Sequence, residues 1–299
     1  MNSRFRAFAP VLLAVVIAPA LLARPQGGID KSLYVAVLDE NGRPVRQFTA
    51  DDILIKEDGQ DRQVVAVKPA SQPISVAFLI DTAQGKRVTD HYGTPEEYVR
   101  DMRVSADAFI KQLLALSPDA SIMMMEFGQA AIPMTKFTSE PMELEKAVNR
   151  IVARPGVGSV LGEALEAANN DLAERPSGRR AIVSINLEPS DEQSFERDRQ
   201  IAEAFGKSGA QLWSISVQRG GLKNSKRDVL LNVFAKASGG QRDFVVGISA
   251  VPDILKAYAN ALAMQYEVVF KRPENAKAKV IQVGTRQGLK VHASSAAPK

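Results

Sequence analysis

Side chains able to do covalent chemistry are scarce in this chain of 299 residues. Cysteine is absent, and histidine occurs only as His91 and His292. Thiol catalysis, thiolate zinc sites and disulfides are thereby excluded. A serine enzyme needs a nucleophile, a base and an orienting acid within mutual reach. No Gly-x-Ser-x-Gly elbow is present, and His91 and His292 fall in a loop and near the tail. The acid pairs Asp51-Asp52 and Glu96-Glu97 read as solvated turns and helix starts. The sequence predicts no catalytic residue, no cofactor and no enzyme activity; a secreted hydrolase is kept as an alternative.

Three other groups of residues are candidates for ligand chemistry. Met123-Met124-Met125 offers thioethers, but consecutive side chains on a strand alternate faces, so the three cannot converge on one ion and are expected in the core. The loop 156–158 could cradle an anion at a helix start, yet it lacks the lysine and spacing of a phosphate loop. Gly220-Gly221 with Lys223, Lys226 and Arg227 reads as a basic, solvated turn. Trp213, mid-strand, reads as packing.

Electrostatics argues against nucleic acid. The 38 basic and 34 acidic residues are interspersed, and Arg4 and Arg6 of the basic set lie at the extreme N-terminus. No basic stripe with interleaved aromatics follows, so a phosphate backbone has little to bind. Arg4 and Arg6 precede an apolar run from Ala7 to Ala23 containing Ala18-Pro19-Ala20, the pattern of a signal peptide over residues 1–23. The expected location is periplasmic or extracellular, with no membrane span once the leader is removed; a retained N-terminal anchor is the other reading.

The elements that must position any site follow in order. Residues 31–70 form a β-rich module, with turns at Asn41-Gly42 and Asp58-Gly59 and extended pieces at 33–38, 45–48, 52–57 and 63–67. Residues 73–265 alternate apolar strands (74–80, 121–127, 181–185, 211–217, 243–246) with helical patterns (95–116, 140–152, 160–172, 194–205, 226–237, 251–264), plus a short edge strand at 131–137. Thr94-Pro95 is placed to start a helix, and Gly239-Gly240 to stop one. This alternation predicts an α/β fold with a doubly wound, mostly parallel sheet. Residues 266–299 return to β, with too few strands to stand alone. They are expected to pair with the N-terminal module as one small β domain.

Ile74 to Asp81, reading ISVAFLID, resembles the first strand of a von Willebrand factor A domain ending in its metal-binding aspartate. AKASGGQRDF, from Ala235, is similar to the helix–Gly-Gly–strand junction of that family. VLDENGRPVRQFTADDILIKEDGQDRQV resembles the β segment that precedes such domains in exported acidobacterial relatives, and Gln265-Tyr266 fits the opening of their C-terminal strands. The resemblance implies a cation above the sheet's C-terminal edge, held by Asp-x-Ser-x-Ser, a Thr from a neighbouring loop and an Asp after the fourth strand.

This chain departs from that pattern. Ala83 and Gly85 replace the two serines, Ser159 stands at the threonine position, and Leu187 aligns with the second aspartate. Glu188 or Asp191 could compensate if the loop shifts. Two surviving oxygens, from Asp81 and Ser159, are few for a hydrated dication, so no metal is expected. On the residues' own chemistry, Asp81 could bond the amides of its turn and Ser159 could cap a helix. The resemblance implies a protein-interaction or scaffolding module with an unidentified protein partner. Its expected contact surface surrounds Asp81, Ala83, Gly85, Ser159, Leu187 and Glu188. Metal-dependent adhesion through a rebuilt site is the second alternative, and a structural subunit the third.

Overall fold

The computed structural model describes residues 28–84, 94–176, 178–188, 190–195, 197–218 and 224–294. The leader, Gly85, His91 and the Gly220-Gly221-Lys223 turn lie outside the described residues.

The chain opens with β1 (Ile29–Leu38), β2 (Ile53–Glu57), β3 (Gln60–Arg62) and β4 (Val64–Pro69). The Asp39 carboxylate closes the first turn by accepting the amides of Asn41 and Arg43, and Gly42 takes a φ of 73°. The expected extended piece at 45–48 forms no strand. Proline 44 makes a single bridge to Leu38, Val45 adds one bond to Val37, and the chain then leaves so that Phe48 drops into the core. Along β2, Ile53, Ile55 and Glu57 face inward and Leu54 and Lys56 outward.

The next segment alternates strand and helix. It runs through β5 (Ile74–Asp81), β6 (Ala83–Gln84), α1 (Pro95–Leu116), β7 (Ser121–Phe127) and β8 (Ala131–Pro133). Then come α2 (Pro141–Asn149), β9 (Arg154–Pro155), α3 (Leu161–Ala173), β10 (Arg179–Leu187) and α4 (Asp198–Ser208). The segment ends with β11 (Gln211–Val217), α5 (Ser225–Ser238), β12 (Gln241–Val245) and α6 (Val251–Ala263). Helix α1 starts where Thr94 predicts, through a reciprocal box. The Thr94 hydroxyl accepts the Glu97 amide at 3.3 Å, and the Glu97 carboxylate accepts the Thr94 amide at 3.1 Å.

The central sheet has the order β12-β11-β10-β5-β7-β8, parallel except for the antiparallel edge strand β8. Every residue of β5 is buried, as a strand covered on both faces requires. Val76, Phe78 and Ile80 pack under α1, α2 and α6, where Phe109, Leu144 and Leu255 lie. Ala77 and Leu79 face the other way, towards Leu165 of α3, Ile201 of α4 and Leu231 of α5. The three methionines divide accordingly, Met124 in the first core and Met123 and Met125 in the second. The architecture is a doubly wound α/β fold.

The chain closes with β13 (Tyr266–Arg272), β14 (Ile281–Thr285) and β15 (Lys290–His292). β13 pairs antiparallel with both β1 and β4, β15 with β1, and β14 with β2. Both ends of the chain therefore build one small β lobe, whose core includes Val35, Ile55, Val268 and Phe270. The buried Glu57 carboxylate of this lobe is clasped by Arg272 and Arg62.

The lobes meet around Trp213, which packs edge-to-face with Tyr258 and against the tilted ring of His292. Gly239 and Gly240 do more than end α5. A Cβ on Gly239 would lie 1.6 Å from the Ala293 carbonyl oxygen, and one on Gly240 1.9 Å from that of Leu212. Glycine lets the C-terminal strand cross the α/β lobe at backbone contact.

Candidate functional site at the sheet edge

β5 lies between β7 and β10, so the chain departs in opposite directions from the carboxyl ends of β5 and β10. Ligands of open α/β sheets bind at such a switch point. Asp81 closes β5 and Leu187 closes β10, which places them at that point.

Asp81 is fully buried and every hydrogen bond aims at it from this edge. Its Oδ1 accepts the Ala83 amide at 3.1 Å, the turn bond expected from sequence. Its Oδ2 accepts the Leu187 amide at 3.0 Å and Nη1 of Arg227 at 2.7 Å. The phenol of Tyr98, from α1, donates to the Asp81 carbonyl.

Arg227 is the residue that the sequence reading misplaced. It is no part of a solvated turn, because its side chain is 0% exposed. Asn224 caps α5 by accepting the amides of Lys226 and Arg227, and its own amide holds the Ser190 carbonyl at 2.8 Å. The third helical residue, Arg227, is thereby turned into the sheet edge. There Nη1 also donates to the Leu187 carbonyl at 2.7 Å, Nε donates to Glu192 Oε2 at 2.9 Å, and Nη2 donates to the Ser159 hydroxyl. The guanidinium thus takes both oxygens that the family resemblance left available, those of Asp81 and Ser159.

The charge balance keeps the group ionised. Burial alone would lower the Arg227 pKa, but Asp81, Glu192 and Glu188 together raise it. On the partner side, burial pushes the Asp81 carboxyl up to about 6, against the pull of Arg227 and the two backbone amides. A buried guanidinium with its donors satisfied by carboxylates and a carbonyl is stable only as a complete set.

The remaining expected residues have other tasks. Ser159 does not cap α3. The first amides of α3 are met instead by Glu192, which accepts from Leu161 at 3.1 Å, and by Ser194, which accepts from Gly162 at 2.9 Å. This also explains why α4 starts at Asp198 rather than near Ser194: the segment before it lies across the start of α3. Glu188 faces a second arginine, with Arg242 Nη2 at 2.9 Å, and Arg242 also pairs with Asp228 at 2.8 Å. The Asp191 carbonyl accepts the Ser159 amide at 2.8 Å.

Asp81, Ala83, Ser159, Leu187 and Glu188 are all at most 1% exposed. They form a floor beneath the sheet edge, where the sequence reading expects a contact surface. The accessible rim lies beside it. Phe195 is 76% exposed and borders a recess of about 480 Å³ with Arg197, Lys226, Val229 and Leu230. Among the described residues no group of three or more His, Asp or Glu side chains could hold a metal ion.

A weak signal for Arg227 exists in the sequence. The first turn of a helix favours acidic residues, since its free amides carry partial positive charge. An arginine at the third position, behind an Asn cap, needs nearby anions, and nothing local in sequence identifies Glu192 and Asp81 as those anions.

The fold is that of a von Willebrand factor A domain. Proximal thread matrix protein 1 from the mussel byssus, in a form with a zinc-occupied MIDAS motif, aligns over 69% of this chain and 50% of its own length. The TM-score is 0.53 at 12% identity. A second crystal form of that protein aligns over 64% and 48%, with a TM-score of 0.51 at 13% identity. This chain therefore spans about half the length of the mussel protein. A von Willebrand factor type A protein from Catenulispora acidiphila covers 91% of this chain and 75% of its own, at 12% identity and a TM-score of 0.49. No family model matches the sequence, and a search of curated proteins gives no match.

Proposed function

We propose that this protein is an interaction module of the cell envelope or its exterior, and that it engages a protein partner without a divalent cation. One observation carries the second half of the reading. In the mussel protein a solved form holds zinc in the MIDAS motif; here Arg227 donates to Asp81 and Ser159 at the switch point of the sheet. A dication would have to displace a guanidinium that four oxygen acceptors hold, and would meet its charge at close range. The residues present do not suit a metal, and the chain supplies the positive charge itself.

The rim beside this edge supports the first half. An exposed aromatic beside an arginine, as Phe195 is beside Arg197, is a composition enriched at protein interfaces. The leader expected over residues 1–23 would accord with an envelope role, and among the described residues no helix is long and apolar enough to cross a membrane. Catalysis has little support: His292 is buried, its Nδ1 against the Gly240 carbonyl and its ring on Trp213.

The test is retention of envelope proteins on the immobilised protein, in EDTA and in millimolar Mg²⁺, compared with Phe195→Asp. Species retained equally in both buffers and lost with Phe195→Asp are the expected result. Retention only in Mg²⁺, or retention indifferent to Phe195, would overturn the reading.

A further inference from the structure

A recess lies at the opposite edge of the central sheet, where the lobes meet. It encloses about 680 Å³ and is walled by Tyr34 of β1, Arg179 and Arg180 at the start of β10, Phe205 and Lys207 at the end of α4, and Lys279 ahead of β14. This is the volume of a small-molecule site, and such sites favour the seams between lobes.

Its charge is one-sided. Four of its sixteen lining residues are cationic and none is acidic, in a chain with 34 acidic residues. The two arginines are fixed by carbonyls. Arg179 donates to Gln72 at 2.6 Å and to Leu262 at 2.7 Å, and Arg180 donates to Ser208 at 2.6 Å and Arg175 at 2.5 Å. The Nε of Arg180 is buried and bonds to nothing.

The contrast with Arg227 is informative. There, three carboxylates raise the guanidinium's pKa against burial. At Arg180 burial lowers it, and no carboxylate offsets that cost. At Arg179 burial also lowers it, with Tyr34 and Asp119 offsetting only part. Positive charge in a seam whose lining includes no acidic side chain is an arrangement that an anion completes.

We propose that this seam binds a small organic oxyanion, a carboxylate or a phosphate ester, with Lys207 and Lys279 closing on its charged end and Leu33 and Phe205 against its apolar body. Arginine and lysine recognise both kinds of oxyanion, and the recess is too large for a bare inorganic ion to fill. Because the walls come from both lobes, the bound anion ties the β lobe to the α/β lobe. The site is independent of the sheet edge that carries Arg227.

Calorimetric titration of the intact protein tests this, with citrate and glycerol 3-phosphate as separate probes at constant ionic strength. The expected result is saturable binding of one probe, weakened about tenfold or more in Lys207→Ala/Lys279→Ala. Both lysines are exposed, so their removal leaves the core intact. Lys236→Ala/Lys256→Ala removes the same charge elsewhere and should bind as the parent does. Whichever probe binds identifies the class of anion. No saturable binding of either at about 10 mM, or equal weakening in both double variants, would overturn the proposal.

Discussion

Arg227 Nη1 lies 2.7 Å from Asp81 Oδ2, and both side chains are fully buried. The pair joins the start of α5 to the end of β5, and Glu192 and Ser159 complete the arginine's surroundings from two further loops. Asp81, Ser159, Leu187 and Glu192 thus converge on one guanidinium, which ties these segments together.

Removing that guanidinium should be costly. Arg227→Ala leaves Asp81 and Glu192 buried without their cation, a loss of about 3–5 kcal/mol. Arg227→Lys keeps the charge but cannot reach four acceptors from a single ammonium, and is expected to fall between the two. Urea unfolding measures both. A loss below about 1 kcal/mol for the alanine variant would mean that the network is incidental.

The unfolding midpoint should not respond to Mg²⁺, Mn²⁺, Ca²⁺ or EDTA. A dication bound only by the folded state at about 100 times its Kd would add about 2.7 kcal/mol, which a thermal melt detects easily. A clear upward shift in the parent protein, abolished by Asp81→Ala, would show that a metal can displace Arg227.

The β lobe should make the protein acid-sensitive. Burial raises the Glu57 carboxyl, but hydrogen bonds from Arg272 and Arg62, and their charges, outweigh it and hold the group below its ordinary 4.5. A carboxylate with a lowered folded pKa stabilises the fold above its unfolded value, and the benefit is lost as pH falls from there through the folded value. Glu57→Gln is expected to cost about 3 kcal/mol at pH 7 and to shrink the loss of stability on going below pH 4.5. An unchanged pH profile would remove Glu57 from the account.

Two glycines in neighbouring elements should behave oppositely. Gly240→Ala drives a Cβ into the Leu212 backbone and should destabilise by more than about 1–3 kcal/mol, because rigid main chain cannot yield. Gly206→Ala, inside α4 with open space around its Cβ, should be neutral or stabilising by up to about 1 kcal/mol. Equal effects in thermal melts would contradict the close approach of Gly240 to the Leu212 backbone.

Much of the fold was legible because its signals are local. The continuous apolar run of β5, the Thr94 box and the Gly239 stop each act within a few residues, and α1, β7 and β11 fall where the periodicity places them. Helix α4 was misjudged at its start because Glu192 and Ser194 serve α3, a contact invisible along the chain. At the site, substitution at Ala83 and Leu187 was readable, and so was the retention of Asp81. The partner that explains the retention was not. Arg227 sits 146 positions from Asp81, in a stretch whose composition reads as solvated, and its burial is decided entirely by tertiary packing.

The pairing of Ile29 with Arg272 fixes an order of events. As the chain leaves the ribosome, β1 emerges among the first described residues and its partner β13 among the last. The β lobe cannot close until β13 has been made, while β5 to α6 can assemble from consecutive pieces beforehand. β1 thus waits without its sheet partners until β13 and β15 follow, and that interval is when the molecule is most exposed to misassociation.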